Sequence, residues 1–205
     1  MKIIKWKSLI ITCMVCLLTI LLGVAFWDRL PETMAIHFNL KNEPDNFASK
    51  GFVVFGIPAL MVILQIFCCA INDINSYKYG ARIKFETATK WIIPILTIVL
   101  QAITLGYGLG WSIDIRRVVA LIIGIVFLII GNYLPKFDYI KNYNVDTEKA
   151  KRINRFIGFE TVAMGILSFI SILLPPIATV VWLLLLIPYV VIAVIYGVRV
   201  GHKKA

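Results

Sequence analysis

Along the chain, apolar residues gather into six stretches, at about 8–27, 51–71, 91–109, 118–134, 158–174 and 178–198, separated by polar or charged connections. Each approaches the ~20 apolar residues with which a helix crosses a bilayer core. The pattern predicts an all-α fold: a polytopic helical membrane bundle of six transmembrane helices, forming one integral membrane domain over 1–205. Between the last two stretches stand Pro175, Pro176 and Ile177. Proline lacks the backbone donor that a helix interior needs, so a helical hairpin is expected there.

Two connections are longer than a hairpin requires, and long loops in compact proteins tend to be functional. The first, 28–50, reads DRLPETMAIHFNLKNEPDNFASK. Its alternation puts Met34, Ile36, Phe38 and Leu40 on one side and Ala35, His37 and Asn39 on the other, as in a half-buried strand. Glu43-Pro44-Asp45-Asn46 suits a type I turn, and Ser49 is placed to cap the second helix. A short ordered loop is therefore expected after the first helix. The second long connection, 135–157, is basic. Asp146 is expected to N-cap a helix with Ile153, Phe156 and Ile157 on one face and Lys149, Lys151, Arg152 and Arg155 elsewhere, lying along an anionic inner leaflet.

Composition agrees with the pattern, since 60% of the 205 residues are apolar, against roughly 45–50% in soluble domains. The net charge of +10 would suit a nucleic-acid binder, but the basic residues flank apolar stretches instead of forming one patch, and no nucleic-acid partner is expected. With the N-terminus inside, sixteen of the 21 Lys and Arg fall on the inner side, among them Lys78, Arg82, Lys84, Lys90, Lys136, Lys141, Lys203 and Lys204. Arg29, Lys41, Lys50, Arg116 and Arg117 fall outside. This imbalance predicts an N-in, C-in topology with loop 28–50 extracytoplasmic.

Candidate chemistry is sparse. Within the six stretches Glu160 is the single carboxylate, read as a headgroup-level acid beside Arg152 and Arg155. Cys13, Cys16, Cys68 and Cys69 lie in apolar stretches and suit small packing groups better than a disulfide or redox site. His37 with Glu32, Glu43 and Asp45 lacks the paired spacing of a metal site, and His202 is the other histidine. No metal, cofactor or enzymatic activity is expected. Gln101, Thr104 and Asn132 are read as interhelical hydrogen-bonding groups.

Two segments carry a resemblance. Leu30-Pro31-Glu32, Ile36-His37-Phe38-Asn39, Glu43-Pro44-Asp45 and Ser49-Lys50 resemble the signature of an uncharacterised bacterial domain found in the N-terminal half of SdpI-like immunity proteins. Gly131-Asn132-Tyr133-Leu134-Pro135-Lys136, with Asn154, Arg155 and Gly158, resembles elements of the C-terminal half of that family. Three features depart from its pattern. A G-[IV]-R-[TS]-P-W-T-L stretch is missing, Asn42 stands near a usual glycine, and Ala35 stands where proline is frequent. The resemblance implies a multi-pass protein of a bacterial plasma membrane that protects its host from a secreted antimicrobial peptide or toxin, in some members with a signalling role. It points to Glu32, His37, Asn39, Asp45 and Lys50 as an outer binding surface. Asn132, Pro135, Lys136, Arg152 and Arg155 would form an inner face, where a cytoplasmic regulator is one conceivable partner beside the lipid bilayer. The alternative is a small transporter or permease subunit lined by Glu160, Gln101 and Asn132.

Overall fold

A computed structural model describes residues 3–79, 83–136 and 147–201. Six long helices dominate them: α1 (Trp6–Ala25), α2 (Ile57–Tyr79), α3 (Ile83–Gly108), α4 (Ile115–Tyr133), α5 (Thr147–Leu173) and α6 (Pro176–Gly201). Between α1 and α2 lie two antiparallel strands, β1 (Thr33–Phe38) and β2 (Pro44–Ser49). Among the described residues five stretches are long and apolar enough to cross a membrane, and Pro176–Ile192 is a shorter apolar one. The protein is a multi-pass membrane helical bundle.

The chain packs as two compact units, Met1–Lys78 with Arg82–Ile115, and Tyr79–Ala81 with Arg116–Ala205. In the first unit, Leu30, Met34, Val53, Val54 and Leu105 form a buried cluster that seats the strands against α1, α3 and the start of α2. Residues Phe52–Gly56 take a π-helical turn ahead of α2. A side chain at Gly23 would strike Val54, 2.6 Å away, so the close approach of α1 to this turn requires glycine there. In the second unit, Gly124 and Gly131 on α4 meet Gly165 and Gly158 on α5, where added methyl groups would lie 2.8–3.2 Å from the opposing carbonyls. Small residues let membrane helices approach closely, and Ser168 Oγ adds a hydrogen bond to the Ala120 carbonyl at 2.5 Å. The expected hairpin at Pro175-Pro176 is present: Pro176 begins α6, where a missing N–H is harmless, and Thr179 Oγ1 donates to the Ser171 carbonyl at 2.9 Å.

Several expectations need correction. The stretches expected at 51–71 and 91–109 are parts of longer helices, and both extensions carry charge. Asp73, Glu86 and Lys90, expected in a polar connection, are helical and buried, so Glu160 is not the single carboxylate in a span. Helices tolerate these charges because they neutralise one another. The separate helix expected along the inner leaflet is the first part of α5, which runs without a break from Thr147 to Leu173. Asp146, its expected cap, lies outside the described residues, as do Arg82, Lys141, His202, Lys203 and Lys204.

Candidate functional site

The 28–50 connection is an ordered hairpin, and its strands depart from simple alternation. Met34 and Ala35 are both buried while Ile36 is exposed, because the register slips between Ala35↔Phe47 and His37↔Asn46. Ile36 occupies the extra position of a bulge, which turns the following residues to the other face. Pro44–Asn46 of the turn expected at Glu43–Asn46 is instead strand; the chain reverses at Asn39–Asn42, where the Asn42 N–H donates to the Asn39 carbonyl at 2.9 Å. Asn42 has φ 66°, a left-handed conformation that asparagine tolerates better than most residues.

The residues expected on the outer surface fall into three pairs on this hairpin. At its base Lys50 Nζ lies 2.8 Å from Glu32 Oε1 and 4.7 Å above the Trp27 ring, while the Lys50 amide donates to the Glu32 carbonyl. Lys50 is thus a buried clasp rather than a free binding group, though its Glu32 partner is exposed. Midway, His37 Nδ1 meets Asp45 Oδ1 at 2.5 Å, and both side chains are exposed. At the tip Asn39 Oδ1 accepts from the amides of Lys41 and Glu43, and Asn39 Nδ2 donates to Glu43 Oε2. Asn39 therefore shapes the turn. Ser49 Oγ accepts from the Phe52 amide at 3.3 Å, the cap expected for the following helix.

Tip and base are fixed to the helices. Asn42 Nδ2 donates to the Ile113 carbonyl at 3.0 Å, and its Oδ1 accepts from the amide of Ile115, the first residue of α4, at 2.8 Å. A helix start leaves such amides without intrahelical partners, and Asn42 satisfies that of Ile115 within the first unit. Phe38 packs edge-on against Tyr107 of α3, with ring centroids 4.8 Å apart. Ile36, Leu40 and Phe47 stay exposed beside the His37–Asp45 pair, and each strand has one edge without a strand partner among the described residues.

The residues expected on the inner face sit in the second unit. Lys136 Nζ donates to Asn132 Oδ1 at 3.0 Å and lies over the Tyr133 ring, and Pro135 packs against Gly158. Arg152 and Arg155 are exposed on α5. Glu160 is exposed as well, with no ion-pair partner among the described residues, so the expected neutralisation by Arg152 or Arg155 is not seen.

A second constellation escaped sequence reasoning. Lys90 Nζ bridges Asp73 Oδ1 at 2.5 Å and Glu86 Oε1 at 2.7 Å. Glu86 Oε2 receives Lys5 Nζ and Ser76 Oγ, and Asp73 Oδ2 receives the Lys5 amide. Two cations and two carboxylates thus close on one another at the ends of α1, α2 and α3. The polar interior continues along α3 through Thr97, which donates to Cys16 Sγ, and Gln101, which donates to the Val53 carbonyl freed by the π-helical turn. Gln65 donates to the Lys90 carbonyl from α2. The helical spacing of Glu86, Lys90, Thr97 and Gln101 is the signal that would have revealed this stripe.

Comparison with known proteins gives two findings. Residues 14–62 match a family model described as Domain of unknown function (DUF1648). The chain is 29% identical over 126 residues to "Immunity protein SdpI" of Bacillus subtilis (strain 168), an alignment covering 62% of this chain and 59% of that protein. The chain thus spans less than two thirds of the length of this relative. No solved structure matches. These matches bear out the likeness to SdpI-like proteins that the two signatures imply.

Proposed function

We infer, taking the SdpI-like character of the chain as the premise, that it is a non-enzymatic immunity protein of a bacterial plasma membrane whose outer hairpin intercepts a secreted antimicrobial peptide. One observation carries the reading. The hairpin is tied to the helices at base and tip while presenting Ile36, Leu40, Phe47, the His37–Asp45 pair and open strand edges. Extended peptides dock on such edges through backbone hydrogen bonds, and exposed side chains select among them. The charge imbalance along the sequence supports an outward-facing hairpin.

Expression in toxin-sensitive cells tests the reading. The wild type should protect; Phe47→Asp, which places a charge at one of the exposed apolar positions, and His37→Ala should lower protection while leaving membrane levels unchanged. Killing that proceeds equally with and without the protein, for every candidate peptide, would sink the immunity reading. The transporter alternative needs an enclosed polar lining, yet Glu160 and Asn132 are exposed and Gln101 alone of the three is buried. Ligand-dependent flux in proteoliposomes would revive it.

A further inference from the structure

The outer ends of α1 and α3 enclose a groove of about 600 Å³ that none of the residues discussed for peptide recognition lines. Leu22 and Phe26 come from α1 and the residue after it; Leu105 comes from α3, and Leu109 and Trp111 from the turn that follows. Gly106 lets the indole in, because a side chain there would meet Trp111 at 2.6 Å. One charged side chain lines the groove, the exposed Arg29, and its guanidinium makes no hydrogen bond or ion pair among the described residues. An arginine left without an anion beside an apolar channel points to a ligand that brings the anion with it.

The dimensions and the wall chemistry narrow the ligand. From Ala102 to Leu109 the groove follows seven helical steps, about 10 Å at 1.5 Å per residue, or roughly a third of a bilayer's ~30 Å hydrocarbon core. Trp27, Trp111 and Arg29 are residue types that sit at the headgroup level, so the channel would run from headgroup level into the acyl region. A peptide laid in this channel would bring backbone N–H and C=O groups to walls that offer little to meet them. The Leu105, Gly106 and Tyr107 carbonyls already accept from Leu109, Trp111 and Gly110. Each backbone group left unsatisfied in an apolar setting costs several kcal/mol. A hydrocarbon chain carries no such groups.

We propose that this groove is a phospholipid site, with one acyl chain along Leu22, Phe26, Leu105 and Leu109 and the headgroup phosphate on Arg29. The site is independent of peptide recognition by the hairpin. It would anchor the outer ends of α1 and α3, the helices that carry the hairpin, to the outer leaflet.

The test uses the full chain, purified in detergent and stripped of lipid. Four probes are added: dioleoylphosphatidylglycerol, dioleoylglycerol, inorganic phosphate, and an apolar peptide with a free C-terminal carboxylate. Native mass spectrometry and thermal stability report binding. The phospholipid should bind and stabilise, and the other three should do so at least tenfold more weakly. Arg29→Gln should weaken phospholipid binding about tenfold, since a charge-assisted hydrogen bond is lost. Ala102→Phe, which fills the channel from an exposed position, should do the same by a different route. Circular dichroism and continued protection of the buried Cys16 thiol establish that both variants are folded. Equal phospholipid binding by wild type and both folded variants overturns the proposal. So does binding of dioleoylglycerol, phosphate alone or the peptide as strong as that of the phospholipid.

Discussion

Replacing Lys90 with methionine keeps the length of the side chain and removes its charge, and the effect on stability should be large. In the native protein the ammonium is 2% exposed and its partners Asp73 and Glu86 are 0% and 4% exposed, so the variant leaves two carboxylates facing each other away from water. Breaking a buried pair by removing one partner destabilises by about 3–5 kcal/mol, because the remaining charge stays uncompensated. Lys5 softens this, since its ammonium also reaches Glu86, but it touches Asp73 through its backbone amide alone. Cys16 and Cys69 are buried in the same unit and report its opening; Cys13 and Cys68 are partly accessible and would be changed to alanine first. With about 1.4 kcal/mol per factor of ten, Lys90→Met should speed labelling of the buried thiols from roughly a hundredfold to several thousandfold. Adding Asp73→Leu and Glu86→Leu should recover most of the loss, since well-packed apolar groups replace buried ion pairs with little or no penalty. Labelling accelerated less than about tenfold in Lys90→Met, or no recovery in the triple variant, would refute mutual neutralisation as the reason these charges are tolerated.

Substitutions at three further positions probe other joints. Asn42→Ala loses the hydrogen bonds to Ile113 and Ile115 and keeps the left-handed backbone, whereas Asn42→Gly loses the bonds but relieves the strain. Amide exchange at Ile115 should accelerate in both, and hairpin exchange more in alanine than in glycine, by the ~1 kcal/mol that separates the two residues in this conformation. Gly158→Ala would place a methyl group 2.6 Å from the Pro135 ring and 2.9 Å from the Gly131 carbonyl, so thermal stability in detergent should fall by about 1–3 kcal/mol. Gly51→Ala meets nothing within 4 Å at a helical backbone and should be neutral or stabilising by up to ~1 kcal/mol.

Helix number, the proline hairpin and the order of the 28–50 connection were legible because each depends on local chemistry: apolar run length, a missing N–H, strand-forming residues. The errors arose where distant partners decide. Asp73, Glu86 and Lys90 ended or delayed the apolar runs at Ile71 and Trp91, since a charge taken alone belongs outside a membrane; their helical placement follows from one another and from Lys5. Ile36 fits the apolar side of a strand, but the bulge that exposes it is visible in the β1–β2 register and not in the order of residues. Glu43-Pro44 reads as a turn, yet Asn39 binds the amides of Lys41 and Glu43, and Asn42 is held by Ile113 and Ile115, so the reversal occurs four residues earlier. Among the residues expected to bind, Asn39 and Lys50 belong to the frame, and the exposed His37 and Asp45 remain.

This division between frame and surface bears on how a peptide would be held. Several attachments fix the hairpin: the Glu32–Lys50 clasp at its base, Met34 in the space that a side chain at Gly108 would fill, Phe38 against Tyr107, and Asn42 at its tip. Ordering a loop at the moment of binding consumes free energy that would otherwise appear as affinity, whereas a loop ordered beforehand avoids that loss. Asn42→Ala should therefore weaken peptide binding and protection although Asn42 is engaged by Ile113 and Ile115 and not by the peptide, and it should do so mainly through slower association as the docking-competent hairpin becomes less populated. Phe47→Asp leaves these attachments intact and should act mainly through faster dissociation. If both variants changed the same rate constant by the same factor, the hairpin's rigidity would have no separate part in recognition, and the peptide would be held by surface contacts alone.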